Sequence, residues 1–309
     1  MRSPFPWQPP ILVTGAHRSG TTWVGRMLTA SREAVYINEP LSPQHRRGVF
    51  AAPTTHWYEY ICPDNERRYL DAFRHTLTFR YRWRAEVPTL RSPRDVARMF
   101  RDMARFARGR QRRLRPLLKD PFAVFSVPWF TQRLGAQAVV LVRHPAALVS
   151  SWLRLGWVVP PWRLWKQPLL VRDWLAPYEE VMRQAQREAD PLITGATLWR
   201  IIFGVVHHYR AQANTLVVRY EDLALDPEPT FGRLYEFLGL RYTPQAQALI
   251  RRSTQAKAAE TDPRHPHTVR LNSQAAAQAW KQRLSAAEIA RIRQWVEPVA
   301  SYYYTDEDW

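Results

Sequence analysis

The stretch Ile11-Leu-Val-Thr-Gly-Ala-His-Arg-Ser-Gly-Thr-Thr-Trp-Val-Gly-Arg-Met-Leu28 decides the fold. It reads as an apolar strand, a tight loop bounded by Gly15 and Gly20, and a helix. The two glycines and Thr22 stand where a Walker A loop has its glycines and its Ser/Thr, but Thr21 occupies the place of the lysine. The fixed cation is Arg18, inside the loop. Such a loop aims backbone N–H groups and a helix N-terminus at a phosphate. Without the lysine it is poorly equipped for the β/γ-phosphates of ATP.

Further strands are expected around this one. Ile11–Thr14, Pro116–Lys119, Ala138–Val142 and Thr215–Arg219 are short, apolar and bounded by breakers, and Val35–Ile37 is a candidate fifth. Each leads into a helical pattern or a loop. This alternation predicts an α/β fold with a central parallel sheet flanked by helices, of the P-loop nucleotide-binding type. Ligands in such sheets bind beyond the carboxyl ends of the strands, where Thr14, Lys119, Arg143 and Arg219 fall. Helices are expected from Pro145 through Trp152, over 198–212, over 229–238 with Gly239 as its stop, and over 285–296 with a capping box at Ser285 and Glu288. The chain is read as one domain over residues 1–309, with a core at about 10–240 and a C-terminal helical segment at about 241–309.

Two motifs in order carry a resemblance. His17-Arg-Ser-Gly-Thr-Thr-Trp23 resembles the 5′-phosphosulfate loop of sulfotransferases that use 3′-phosphoadenylyl sulfate (PAPS). Val139-Val-Leu-Val-Arg-His-Pro-Ala-Ala-Leu-Val-Ser-Ser151 resembles their 3′-phosphate segment, with Arg143 at a strand end, Pro145 two residues on and Ser151 eight residues on. Leu216-Val-Val-Arg-Tyr-Glu-Asp-Leu223 is similar to a late strand and turn of that family. The resemblance implies a transfer of a sulfuryl group from PAPS to an acceptor hydroxyl by in-line displacement, with no metal. It implies that Arg18, Ser19, Gly20, Thr21, Thr22 and Trp23 cradle the phosphosulfate, and that Arg143 and Ser151 hold the 3′-phosphate. The family usually has lysine where Arg18 stands. Arginine keeps the charge but is a poor proton donor.

The base is left between two carboxylates. Glu39, in Val35-Tyr-Ile-Asn-Glu-Pro-Leu41, follows the second strand, and its Glu-Pro-Leu triplet resembles carbohydrate sulfotransferases. Asp120 in Lys119-Asp120-Pro121 is the reserve, with Lys119 expected at the bridging or a sulfonate oxygen. Cytosolic sulfotransferases have a histidine two residues after a comparable lysine, where this chain has Pro121. Arg270 precedes Ala279-Trp-Lys-Gln-Arg283, a segment similar to the family's C-terminal region, and the resemblance implies that it closes over the nucleotide.

Composition narrows the rest. The chain has 309 residues, net charge +18 and one cysteine, Cys62, so no intramolecular disulfide forms. No signal-like N-terminus and no run of ~18 apolar residues is present, so a protein that is cytoplasmic, or peripheral at the inner membrane face, is expected. Arg94, Arg98, Arg101, Arg105, Arg108 and Arg112 recur at helical spacing, with Val96, Phe100, Met103 and Ala107 on the other face. This stripe suits anionic lipid, an acidic glycan or plain solvent. Trp157, Trp162, Trp165 and Trp174 mix with Arg154, Arg163 and Lys166 and suit a sugar or glycolipid acceptor, or a loop packed on the core. No specific nucleic-acid site is expected. His207-His208 and His265-Pro-His267 lack partners at metal spacing. Two rivals stand beside the sulfotransferase reading: a P-loop kinase or NTPase, against which Thr21 speaks, and a non-catalytic basic protein that binds nucleic acid or anionic membrane.

Overall fold

The structure, a computed structural model, describes residues 8–255 and 273–309. Five strands form one all-parallel sheet in the order β2-β3-β1-β4-β5. They are β1 (Ile11–Gly15), β2 (Ala34–Asn38), β3 (Arg115–Lys119), β4 (Gln137–Val142) and β5 (Thr215–Arg219). All five lie where the sequence predicts them, to within a residue at each end. Pro116 is tolerated because the pairing of β3 with β1 begins only at Leu117, opposite Ile11.

Alternate side chains feed two cores, as a sheet covered on both faces requires. Leu12, Val35, Leu118, Val140 and Val142 enter one core, and Ile11, Val13, Leu117, Val139 and Leu141 the other. The first core is completed by α3 (Pro145–Leu155), α4 (Pro191–Tyr209) and α6 (Ala286–Val296). The second is completed by α1 (Thr21–Leu28) and α5 (Pro227–Leu238). Helix α2 (Pro93–Gln111) flanks the edge strand β2.

The marked stop and start signals of the sequence hold, while the bounds of α3, α4 and α5 shift by two to seven residues. Gly239 ends α5 in the left-handed region, and Ser285 and Glu288 form the expected capping box. Helix α4 begins seven residues earlier than expected, because Asp190 accepts from Leu192 N and Pro191 takes the first helical position.

The face of α2 differs from the expectation. Its buried residues are Met99, Asp102, Phe106 and Gly109, while Val96 and Phe100 are exposed. Asp102 is drawn inward by Arg46, 3.3 Å away, and by Arg105, 3.1 Å away. A buried carboxylate is stable when so paired.

Candidate active site

Strand β1 ends in a loop whose geometry demands its glycines. Gly15 has φ +145°, and a Cβ there would lie 2.4 Å from the Leu141 carbonyl oxygen of the neighbouring strand. Gly20 has φ +96° and caps α1; a Cβ there would sit 2.6 Å from the Tyr220 ring. Arg18 itself holds φ +71°, an uncommon conformation for a side-chain-bearing residue. The first amides of α1 have no carbonyl one turn back and face the loop.

Beyond the carboxyl ends of the strands lies a cavity of about 580 Å³. Arg18, Gly20, Thr21, Thr22 and Trp23 line it from the loop, Arg143 and Ser151 from β4 and α3, and Glu39 from the end of β2. The sequence motifs thus meet in one space. Ser151 Oγ accepts from Arg18 Nε at 3.4 Å. Arg143 stacks on Tyr220, 4.5 Å from its centroid, and donates to the Arg18 carbonyl at 2.8 Å and the Ala276 carbonyl at 2.7 Å, with its buried Nε unpartnered. Its fork is therefore already shared with the chain.

Arg154 and Arg283 also line the cavity. Burial, then Arg143 and Arg154, lower the Arg18 pKa to about 10. Burial, then Arg154 and Arg143, lower that of Arg283. Such like-charge crowding favours an anion. Among the described lining residues Glu39 is the one carboxylate. It stands at φ +46° just before Pro40.

Several expected site residues have other work. Ser19 is fully buried, and its Oγ donates to the Ala16 carbonyl at 2.6 Å, so only its position in the loop serves the cavity. The Trp23 indole is sealed in the core, with Nε1 donating to Ser253 Oγ at 2.9 Å. Lys119 does not line the cavity: 1% exposed, it pairs through Nζ with Glu39 Oε1. It is placed as the counter-ion of Glu39. Asp120 is fully buried and accepts from Leu41 N at 2.6 Å and Phe122 N at 3.0 Å. Burial pushes its pKa up to about 7. It braces the loops around Glu39 and does not line the cavity. Arg219 pairs with Asp308, at 3.2 Å through Nη1, and stacks on Tyr304, which makes it a tether for the C-terminal segment. Arg270, His265 and His267 lie outside the described residues.

The tryptophan group divides. Trp157 lines the cavity with Arg154 and Arg163, whereas Trp165 and Trp174 pack on the core. Trp57 and Phe122 were not singled out by the sequence and complete the aromatic wall. His17 binds that wall to the loop. Its Nδ1 lies 2.6 Å from Tyr58 Oη and its Nε2 2.9 Å from the Trp157 carbonyl. The carbonyl can only accept, so Nε2 carries the proton and Nδ1 accepts from the tyrosine. Burial first, then Arg18, lower its pKa to about 4, so the ring is neutral. Arg154, named in the sequence with the tryptophans, stands one helical turn after Ser151 and so joins the arginines of the cavity. Trp57 and Arg283 reach the cavity through chain turns that no local pattern encodes.

Fold and site together define an α/β protein of the P-loop type with an arginine-lined mouth. The Sulfotransferase family model matches residues 9–244, and the chain belongs to that family. Human carbohydrate sulfotransferase 5 is 29% identical over 193 residues, which cover 59% of this chain and 40% of the relative. Mouse carbohydrate sulfotransferase 2 is 33% identical over 95 residues, 30% of this chain and 17% of the relative. The chain thus spans less than half the length of these curated relatives. Among solved structures, the sulfotransferase domain of the Synechococcus PCC 7002 olefin synthase aligns over 98% of both chains at 19% identity and TM-score 0.45. A mouse sulfotransferase complexed with PAP aligns over 98% of this chain and 88% of its own at 13% identity and TM-score 0.46. Among the described residues no helix is long and apolar enough to cross a membrane, and no group of three His, Cys, Asp or Glu is set to hold a metal.

Proposed function

We propose that this chain transfers the sulfuryl group of PAPS to a hydroxyl of a carbohydrate or glycolipid. The observation that carries the reading is one cavity lined by Arg18, Arg143, Arg154 and Arg283 and, among the described residues, by a single carboxylate, Glu39. The arginines and the amides at the start of α1 hold the two phosphates and the sulfonate of the donor. Glu39 takes the proton of the acceptor hydroxyl as its oxygen attacks sulfur. The new S–O bond forms as the bond from sulfur to the 5′-phosphate oxygen breaks, and Arg18 offsets the charge that builds on that oxygen. Adenosine 3′,5′-bisphosphate leaves. Lys119 keeps Glu39 aimed. Trp57, Trp157 and Phe122 supply flat apolar surface of the kind a sugar ring stacks on. The carbohydrate acceptors in the names of the curated relatives agree with this choice.

Thermal denaturation tests the donor. PAPS and adenosine 3′,5′-bisphosphate are expected to raise the melting temperature far more than ATP, which lacks the 3′-phosphate. Arg143→Ala is expected to weaken the bisphosphate by about 1.5–3 kcal/mol, the worth of a charged hydrogen bond, and to erase most of the preference over ATP. Equal stabilisation of the wild type by ATP refutes the assignment. Turnover of labelled PAPS with candidate glycans then tests the acceptor.

A further inference from the structure

The helix α2 and the turn before it carry a surface that the reaction does not use. Between residues 80 and 113 the sequence has twelve arginines and three acidic residues, Glu86, Asp95 and Asp102. Two of the acids, Glu86 and Asp102, are buried, and the third is part of the helix cap. Glu86 is buried, pairs with Arg46 and accepts from Gly48 N at 2.6 Å. Asp102 is held by Arg46 and Arg105. Asp95 closes the start of α2, accepting from Ser92 Oγ at 2.8 Å and Arg91 N at 3.3 Å. Twelve arginines against three acids leave the surface net basic; Arg98 and Arg101, 58% and 65% exposed, sit only loosely against Asp95 and Asp102, at 3.7 and 3.9 Å.

Large apolar groups are exposed on the same segment, and because α2 buries Met99, Asp102, Phe106 and Gly109, Val96 and Phe100 flank the arginine stripe on its open side. Trp83, Val87, Val96 and Phe100 are half of the eight exposed large hydrophobics among the described residues, and all fall within eighteen residues. Val96 and Phe100 are one helical turn apart on α2. Trp83 and Val87 lie on the turns that precede it, of which 83–86 packs against α2. The Arg84 guanidinium lies 5.3 Å from the Trp83 ring centroid.

We propose that this face docks the protein on an anionic lipid bilayer, with the arginines at the headgroups and Trp83 and Phe100 entering the interface. Charge complementarity selects an anionic surface. The apolar residues select among such surfaces. A nucleic acid or sulfated glycan engages the arginines and leaves Phe100 and Val96 in water. A bilayer takes both, with tryptophan at headgroup depth and phenylalanine below it. The face is also braced to the cavity. Arg82 N donates to the Gly48 carbonyl at 2.8 Å, and the loop that ends at Gly48 starts with Glu39, Ser42 and Gln44 on the cavity wall. The docking stands independently of the reaction proposed above.

Co-sedimentation of the full chain with vesicles tests it. Binding is expected to vesicles of phosphatidylcholine mixed with phosphatidylglycerol and not to phosphatidylcholine alone. The double variant Trp83→Ser, Phe100→Ser is expected to bind about tenfold or more weakly, from lost apolar burial. Arg94→Gln, Arg98→Gln and Arg101→Gln are each expected to cost about fivefold. Melting temperature and stabilisation by the bisphosphate serve as folding controls and are expected to stay unchanged in the double variant. The proposal is overturned if mixed vesicles are not bound, or if the double variant binds them as tightly as the wild type. It is overturned equally if heparin or DNA competes the protein off the vesicles and binds the double variant undiminished, which marks a general polyanion site.

Discussion

Glu39 and Lys119 reach each other because β2 and β3 run in register, with Asn38 opposite Lys119, and because Glu39 N donates to the Lys119 carbonyl at 2.8 Å. The pair is asymmetric: Lys119 is 1% exposed, while the Glu39 side chain keeps 22% of its surface. This asymmetry separates catalysis from stability. Glu39→Gln is expected to lower kcat by at least about a hundredfold, as loss of a general base does, with little change in bisphosphate affinity. It also leaves a buried ammonium without its counter-ion, so part of the stability is lost as well. The double variant Glu39→Gln, Lys119→Met removes both charges, and is expected to recover the melting temperature while staying inactive. Recovery of activity with stability would make Glu39 a structural residue. Glu39 was legible in the sequence from its place after a strand. Its ion pair with Lys119 was not, because the two residues are eighty positions apart in the chain and meet only through the β2–β3 register.

The loop between β1 and α1 is the element on which the site depends, and its glycines make a sharp test. Gly20→Ala must hold φ +96° and push its methyl into the buried Tyr220 ring, on which Arg143 rests. A cost of roughly 1–3 kcal/mol is expected in chemical denaturation, the range for strained positive-φ sites, together with loss of stabilisation by the bisphosphate. Wild-type affinity in this variant would show that the loop does not shape the anion site. Elements of this kind were legible because strand, glycine turn and helix start are written in adjacent residues. Helix α2 shows the limit. Its period was plain, but its orientation was not, because Asp102 reads as a solvent residue until Arg46, from a distant loop, is seen to meet it. Likewise the tryptophans at 157 and 165 look alike in sequence and part only in space, one to the cavity and one to the core.

At the scale of the whole molecule, the sheet is closed by chain from far downstream, and the closing point is His144. It follows β4, caps α3, and donates its backbone N–H to Glu221 at 3.0 Å. Its ring stacks on Trp280 at 4.6 Å and meets Tyr304 and Trp309 edge-on at 4.9 and 4.5 Å. Both ring nitrogens are buried without a partner, and burial lowers the pKa to about 3. The folded state therefore refuses a proton that the unfolded chain accepts near pH 6.5. The stabilising effect of a neutral His144 is complete above about pH 6.5 and is lost as pH falls toward 3. His17, lowered to about 4, acts in the same direction, while Asp120, raised to about 7, acts against both, its contribution being lost as pH rises through 7. His144→Phe isolates one group among these, since a phenyl ring keeps the stacking and no hydrogen bond is forfeited. Denaturation of both proteins from pH 8 downward is expected to give a constant difference above about pH 6.5. Below that the variant is expected to gain, by roughly 2–3 kcal/mol near pH 4.5. A difference that stays constant through the whole range would assign the effect of His144 to packing and not to its proton.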